Sequence, residues 1–526
     1  MNSEQDKVTK AAGIVGSATL LSRIFGFVRD IVFAAFFGAG FHSDAFIAAF
    51  RIPNLLRRLF AEGTLIIAFI PVFTEYLKKG GKEEAFVLAR SAFLMLLIIL
   101  SSVIILGIIL SPAIIKGIAY GFTDSPEKFE LTVLLTRIVL PYALFISFVA
   151  LCMGILNALD HFAAPALAPV LLNLAMIASI FIGSFLSSDP TIHVIGLAVG
   201  VLAGGVLQLF LQVPFLIRKG FSFFKRTVLI HPGLKKIGNL MLPAIVGAGV
   251  YQINILIGTF LGSLLPEGSI SYLYYADRLV QFPLGIFALS IATAVLPSLS
   301  RQASAKDFAG LKSTFSYALK LILYVMLPSM AGLIVLREPI VSILFQRGAF
   351  DQEAVRMTSD ALLYYCVGIW ATASVSVVVR VFYALHDSKI PVYIAIVSIV
   401  SNIILSVILM MPMAHSGLAL ATSLASILNL ALLVLMLRIK LGALGWRKIF
   451  FSAGKSAFAA LVMGIVVWYA SGYMVPTEHK SQTVLAFGLV GSVLIGLVAY
   501  TVLSIIFKSS EFRYVLAMMR RGDLKA

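Results

Sequence analysis

The run Ala85–Ser111, AFVLARSAFLMLLIILSSVIILGIILS, carries a single charge, Arg90. About 20 predominantly apolar residues wound as an α-helix cross a hydrocarbon core of about 30 Å, so this run predicts a spanning helix. Runs of the same kind recur near 11–37, 43–73, 132–158, 163–186, 193–217, 237–262, 269–297, 314–336, 356–384, 391–412, 415–437, 448–471 and 483–507, giving fourteen in all. They are continuous, whereas a membrane β-barrel would show segments of about 10 alternating residues. The whole chain agrees, with 526 residues that are 60% hydrophobic and only 12% charged. Soluble domains carry about 25% charged residues. A soluble enzyme, a nucleic-acid-binding domain and a disordered scaffold are thereby excluded, and an all-α polytopic membrane protein is expected. Residues 1–10 are polar and no small-residue cleavage site follows the first run, so no removable signal peptide is expected.

An even number of spans puts both termini on one side. Even-numbered connections hold Lys78, Lys79, Lys82, Arg218, Lys219, Lys225, Arg226, Lys235, Lys236, Arg301, Lys306, Lys312, Lys389, Arg438, Lys440, Arg447 and Lys448. The odd-numbered ones offer little beyond Lys116, Lys128, Arg337, Arg347 and Lys480. Basic residues accumulate in cytoplasmic loops, so both termini are expected in the cytoplasm, and routine topology absorbs most of the net charge of +17.

The chain also repeats itself. Ala158-Leu159-Asp160-His161, followed by Pro165, returns 226 residues later as Ala384-Leu385-His386-Asp387, followed by Pro391. The same offset carries Pro71 onto Pro297 and Arg51 onto Asp277, beside Arg278. Six helices per copy is an even number, which predicts two parallel repeats related by an axis along the membrane normal. The expected organisation is residues 1–220 and 221–445 as six-helix repeats around a central cavity, with 446–526 as two additional helices and a tail. An inert duplication with a packed interface would need no charges inside it.

Such charges are present. A charged side chain at bilayer depth costs roughly 2.5–3.5 kcal/mol on insertion scales and so normally faces a cavity or a partner. The first span holds Arg23, Arg29 and Asp30, and the second holds Arg51, Asn54, Arg57, Arg58 and Glu62, just after Asp44. The eighth holds Asp277 and Arg278. Arg23 and Asp30 share a helical face, as do Arg51, Arg58 and Glu62. Pro53, Gly63 and Pro71 interrupt the second span and predict a bend or an unwound turn. Arg90 and Arg137, nearer helix ends, are expected to snorkel to the interface. Arginines outnumber acids at these interior positions, and guanidinium groups grip phosphate through paired donors without ever deprotonating. An anionic, phosphate-bearing substrate follows, and a cation exporter would instead need lone carboxylates.

Other signals are weaker. Gly454-Lys455-Ser456 ends like a phosphate-binding loop, but Ile449 stands where that loop needs glycine. Cys152 and Cys366 lie in apolar runs and suggest neither a disulfide nor a metal site. The seven histidines lack metal-ligand spacing, and His161 and His386 are expected to be solvated in matching loops. A membrane-embedded glycosyltransferase would need poised carboxylates or a nucleophile and larger loops than these.

Residues 22–63 then resemble a known pattern. Ser22-Arg23, Gly26-Phe27-Val28-Arg29-Asp30, Phe37-Gly38-Ala39-Gly40, Asp44-Ala45-Phe46 and Pro53-Asn54-Leu55-Leu56-Arg57-Arg58-Leu59-Phe60-Ala61-Glu62-Gly63 are similar to the MurJ (MviN) lipid II flippase family. So are Tyr274-Tyr275-Ala276-Asp277-Arg278-Leu279, Phe282-Pro283, Leu296-Pro297-Ser298 and Phe382-Tyr383 with Asp387 and Pro391. The resemblance implies a fourteen-helix member of the multidrug/oligosaccharidyl-lipid/polysaccharide exporter superfamily. It implies a bacterial inner-membrane flippase, not an enzyme, moving lipid II to the periplasmic leaflet for cell-wall synthesis. It assigns the substrate to Arg23, Arg29, Arg57 and Arg278, with Asp30 and Asp44 as acidic companions and the last two helices as a groove for the lipid tail. No cofactor and no nucleic acid are implied; membrane potential or an ion gradient is the expected drive, and membrane lipids and peptidoglycan synthases are the expected neighbours. The residues alone leave another lipid-linked glycan diphosphate open as substrate.

Overall fold

A computed structural model describes residues 3–61, 64–225, 227–474 and 482–514, and every regular element among them is helical. By internal contacts the chain divides into two compact units, Met1–Ser271 with Arg347–Phe350, and Tyr272–Gln346 with Asp351–Ala526.

The first unit contains α1 (Ser3–Phe37), α2 (Phe41–Leu56), α3 (Thr64–Lys79), α4 (Gly81–Ile109), α5 (Ser111–Ile118), α6 (Pro126–Val139), α7 (Tyr142–Ala158), α8 (Ala163–Leu186), α9 (Pro190–Arg218) and α10 (Pro232–Ser263). With no hydrophobic drive between helices in lipid, close approach of backbones has to hold them together. On α9, Gly200 and Gly204 provide it. A Cβ on Gly200 would sit 2.0 Å from Ser179 Oγ, and one on Gly204 would sit 3.1 Å from Leu172 Cα, both on α8. The expected interruption of the second span falls between α2 and α3. Pro53 and Pro71 stay inside their helices, and the chain widens into a π-helical turn at Arg57–Ala61. The Thr64 hydroxyl takes up the Leu59 carbonyl there. Glu62 and Gly63 lie outside the described residues.

The second unit contains α11 (Ser269–Pro283, whose first three residues group with the first unit), α12 (Leu289–Ser304), α13 (Phe308–Val335), α14 (Arg337–Phe345), α15 (Gln352–Val367), α16 (Ile369–Ala384), α17 (Lys389–Leu441), α18 (Trp446–Met474) and α19 (Gln482–Ile506). Spans eleven and twelve merge in α17, which folds back at Ala414 (φ 49°, ψ −132°). The fold is tight: Ser398 Oγ donates to Ala425 O at 2.9 Å, and a Cβ on Gly417 would meet Leu409 O at 2.2 Å. The last two helices pack on α13 through Tyr324, Ala459, Met463, Val467 and Tyr500, and the Tyr500 hydroxyl donates to Tyr324 O at 2.7 Å.

Nine helices among the described residues, or ten if the pair α15–α16 bent by 42° counts once, are long and apolar enough to cross a membrane. The charge-bearing α1 and α2 are not in that set.

The repeat seen in the sequence recurs in the elements. α5 and α14 begin at Ser111 and Arg337, α6 and α15 at Pro126 and Gln352, and α8 and α17 at Ala163 and Lys389. α1 and α10 end at Phe37 and Ser263, again 226 residues apart. A second π-helical turn, Leu284–Ala288, answers the first to within one residue of that offset. The two Ala-Leu loops fold alike: Asp160 and His386 have φ of 58° and 56°, and His161 N and Asp387 N bond to Leu156 O and Phe382 O. By this register α10 opens the second copy, yet it packs against α3 and so groups with the first unit.

Candidate functional site

On α1, Arg23 is exposed, while Arg29 is mostly buried and Asp30 fully so. Arg29 pairs with its neighbour, Nη2 lying 2.7 Å and Nε 3.1 Å from Asp30 Oδ1. Its Nη1 donates to Asn173 Oδ1 on α8 at 3.0 Å, and Asn173 Nδ2 donates onward to Ser22 O at 3.3 Å. One buried carboxamide therefore fastens Arg29 and the backbone next to Arg23. Its only signal in the sequence is a lone asparagine in an apolar run.

Along α2, Arg51 and Asn54 are half-buried, and Arg57 and Arg58 open the π-helical turn, also half-buried. Asn54 Oδ1 accepts from both Nε (3.0 Å) and Nη2 (2.7 Å) of Arg57. A carboxamide brings no counter-charge of its own, so this contact fixes the plane of the Arg57 guanidinium. The wide turn matters here because π-helical turns realign side chains relative to the preceding helix and recur at functional sites.

Asp44, at the other end of α2, lies elsewhere. Its Oδ2 accepts from Lys128 Nζ at 3.0 Å and from Gly268 N at 2.8 Å, and its Oδ1 accepts from Ser271 N at 3.0 Å and Ser271 Oγ at 2.6 Å. Asp44 thus serves the unsatisfied amides at the start of α11. Lys128 is buried between Asp44 and the Phe122 ring, its Nζ 4.6 Å from the ring centroid. The sequence had shown this lysine only as a connection charge.

In the second unit Arg278 is exposed and held from the preceding turn. Its guanidinium lies over the Tyr274 ring, 4.7 Å from the centroid, and Nη2 donates to the Tyr274 hydroxyl at 3.2 Å. Asp277 receives Gln281 Nε2 at 3.4 Å. The Glu62 side chain, named from the sequence with the others, is outside the described residues.

Two expectations about flanking groups change, those for Arg90 and His161. Arg90 does not snorkel. It is buried, with Nη2 2.8 Å from Glu83 Oε1 and Nη1 3.2 Å from Ser222 O, because α4 is covered there by the segment after α9. Arg137 is exposed, as snorkelling requires, but its Nε is directed to Ser111 Oγ at 2.9 Å. His161 is not solvated; its ring stacks on Phe215 at 4.6 Å.

The architecture is that of a polytopic helical transporter carrying a duplicated unit, with arginines on α1, α2 and α11. The family profile described as "Lipid II flippase MurJ" matches residues 33–486. A probable lipid II flippase MurJ of Vibrio cholerae serotype O1 is 39% identical over 470 residues, covering 88% of this chain and 89% of that one. The lipid II flippase MurJ of Burkholderia cenocepacia is 34% identical, covering 87% and 89%. A solved lipid II flippase MurJ in an inward closed conformation matches with a TM-score of 0.78 at 29% identity, over 95% of this chain and 99% of that one. An inward-facing multidrug transporter of the MATE family shares the fold, with a TM-score of 0.65 at 18% identity. The chain belongs to the lipid II flippase MurJ family.

Proposed function

We infer that this protein moves lipid II, the undecaprenyl-diphosphate-linked peptidoglycan precursor, from the cytoplasmic to the periplasmic leaflet of the inner membrane. The observation that carries the reading is the family match along residues 33–486. The protein is a multi-pass membrane transporter, and the chemistry of the arginines on α1, α2 and α11 suits the cargo. Guanidinium groups at Arg23, Arg29, Arg57 and Arg278 bind the diphosphate, and Asn54 and Tyr274 hold two of them in fixed planes. Asp30 tempers Arg29, which makes that arginine the more structural of the four. Alternating access carries the head group across while the prenyl tail stays in lipid. Resetting draws on membrane potential, since a moving positive site gains about 2.3 kcal/mol per charge across 100 mV. Both termini are cytoplasmic on the charge bias of the connections.

The test replaces Arg23, Arg57 or Arg278 by Ala in cells depleted of the native protein and asks which leaflet holds lipid II. Each variant is expected to insert at normal levels and to leave lipid II in the cytoplasmic leaflet. Full flipping by all three would sink the arginine assignment. Flipping of an O-antigen-type diphosphate with no activity on lipid II would replace the substrate.

A further inference from the structure

The connection from α9 to α10 runs through residues 219–231 and lies outside every helix. Both its ends are pinned. Phe221 is buried, edge-on to Phe86 at 5.3 Å and to Phe223 at 4.9 Å, and both phenylalanines rest on Phe93, at 5.9 and 5.4 Å. Ser222 O accepts from the buried Arg90. At the far end, His231 Nδ1 accepts from Gly233 N, its ring meets Tyr76 at 5.0 Å, and Lys236 Nζ reaches Glu75 at 3.1 Å. Between these pins the large apolar side chains turn outward: Phe224 is 100% exposed, Ile230 80% and Leu229 49%.

Exposed apolar groups are unremarkable on a helix surrounded by lipid, but these sit on a loop. Their surroundings say what covers them. From Arg218 to Tyr251 the chain holds Arg218, Lys219, Lys225, Arg226, Lys235 and Lys236 and no acidic residue, and of the acids on the neighbouring helices Glu75 pairs with Lys79 and Lys236 and Glu83 with Arg90. Phe86, Arg90 and Phe93 lie on the first turns of α4, and α9 ends at Arg218; both helices are long and apolar enough to cross the membrane. The loop therefore lies where two crossing helices leave the hydrocarbon. An anionic phospholipid leaflet offers phosphate at that level and acyl chains just beneath it.

We propose that the 220–231 loop is an interfacial anchor for anionic phospholipid. Phe224, Leu229 and Ile230 enter the acyl boundary, and Lys225 and Lys235 meet the phosphates. Non-helical backbone has peptide groups that hydrocarbon cannot satisfy, so the backbone stays at headgroup depth and only side chains dip. The pins at Phe221 and His231 hold the loop ready for that contact, so the joint between α9 and α10 is moored to the bilayer surface.

The experiment uses the full chain. Cys152 and Cys366 are both 0% exposed, so a cysteine introduced by Phe224→Cys or Ile230→Cys can be labelled alone with an environment-sensitive fluorophore. Each labelled protein is reconstituted into phosphatidylcholine vesicles with and without phosphatidylglycerol, and quenched by brominated lipid or aqueous iodide. A label at Ser188→Cys, exposed in the short α8–α9 connection, serves as the water-facing control. With phosphatidylglycerol present, labels at 224 and 230 are expected to be quenched by bromolipid and shielded from iodide several-fold more than the control. Adding Lys225→Gln and Lys235→Gln should remove most of that shielding. Iodide reaching both labels as freely as the control in both vesicles overturns the anchor, and leaves the loop to a soluble acidic partner. Equal shielding without phosphatidylglycerol overturns the requirement for anionic lipid. Neither outcome depends on which substrate the protein carries.

Discussion

A single carboxylate, Asp44, accepts four hydrogen bonds, and its side chain and that of Lys128 are 3% and 7% exposed. Removing one partner of a buried pair leaves the other charge without compensation and costs about 3–5 kcal/mol, far more than the pair is worth as a whole. Asp44→Ala should therefore destabilise the detergent-solubilised protein by about that amount in thermal unfolding. Asp44→Ala with Lys128→Met should cost clearly less than the two single changes added together, and strict additivity would show that the ion pair is not the source. Asn54 makes a subtler case. Asn54→Ala takes away an uncharged clamp while keeping Arg57, so transport should fall by roughly tenfold, the effect of about 1.4 kcal/mol of lost orientation, with little change in stability. If Asn54→Ala transports like wild type, the geometry of the Arg57 plane has no bearing on the reaction. The Asp44 partnership was not legible in the sequence, where Asp44 stood out only as a residue type, whereas Asn54 stands one helical turn from Arg57. Lys128 lies 84 residues from Asp44, and Ser271 lies 227 away. Hydrophobic periodicity reports which face of a helix is apolar; it does not report what a polar atom at long separation will meet.

Helices were read more reliably than their interruptions. Long apolar runs such as Ala85–Ser111 became helices because nothing else satisfies a backbone in lipid. Pro53, Gly63 and Pro71 announced a disturbance in the second span, but the π-helical turn formed at Arg57–Ala61, where the composition offers no breaker. A proline removes one donor and can be absorbed by a bend, so it marks a weak stretch of helix more faithfully than a break point. The fold-back in α17 was likewise read as a gap between two spans, without its cause. Ala414 holds φ 49° and ψ −132°, a conformation suited to glycine, and such strain costs about 1–3 kcal/mol. Ala414→Gly should raise the unfolding free energy by about 1 kcal/mol, glycine's own backbone entropy offsetting part of the relief. A lowered melting temperature would show that the turn is not strained. At the start of the same element, a hydrogen bond from Lys440 at 2.6 Å, helped by the Ile390 N–H, holds the Asp387 carboxyl below the usual carboxylate range. A carboxylate whose pKa falls on folding stabilises above its unfolded value of about 4 and loses that contribution as pH drops through its folded value. Thermal stability should therefore fall on acidification below about pH 4, and Asp387→Asn should flatten that part of the profile.

For the whole molecule, the recurrence at 226 residues constrains topology more tightly than any one helix does. Element starts agree at Ser111 and Arg337, at Pro126 and Gln352, and at Ala163 and Lys389, and the loops at Asp160 and His386 share one hydrogen-bond pattern. Two copies with the same order of elements and an even number of crossings must present corresponding connections to the same side of the membrane. If the bias of basic residues toward cytoplasmic connections sets the sign, Lys82 and Lys306 are expected on the cytoplasmic side and Ser188 and Arg347 on the other. All four positions are exposed, and the two native cysteines are buried, so single cysteines at these sites can be labelled in intact cells. Lys82→Cys and Lys306→Cys should react only with a reagent that crosses the membrane, and Ser188→Cys and Arg347→Cys with one that does not. Labelling of Lys82→Cys and Lys306→Cys from opposite sides would mean that an odd number of crossings separates the copies. The parallel repeat would then be wrong even though every helix in it were right.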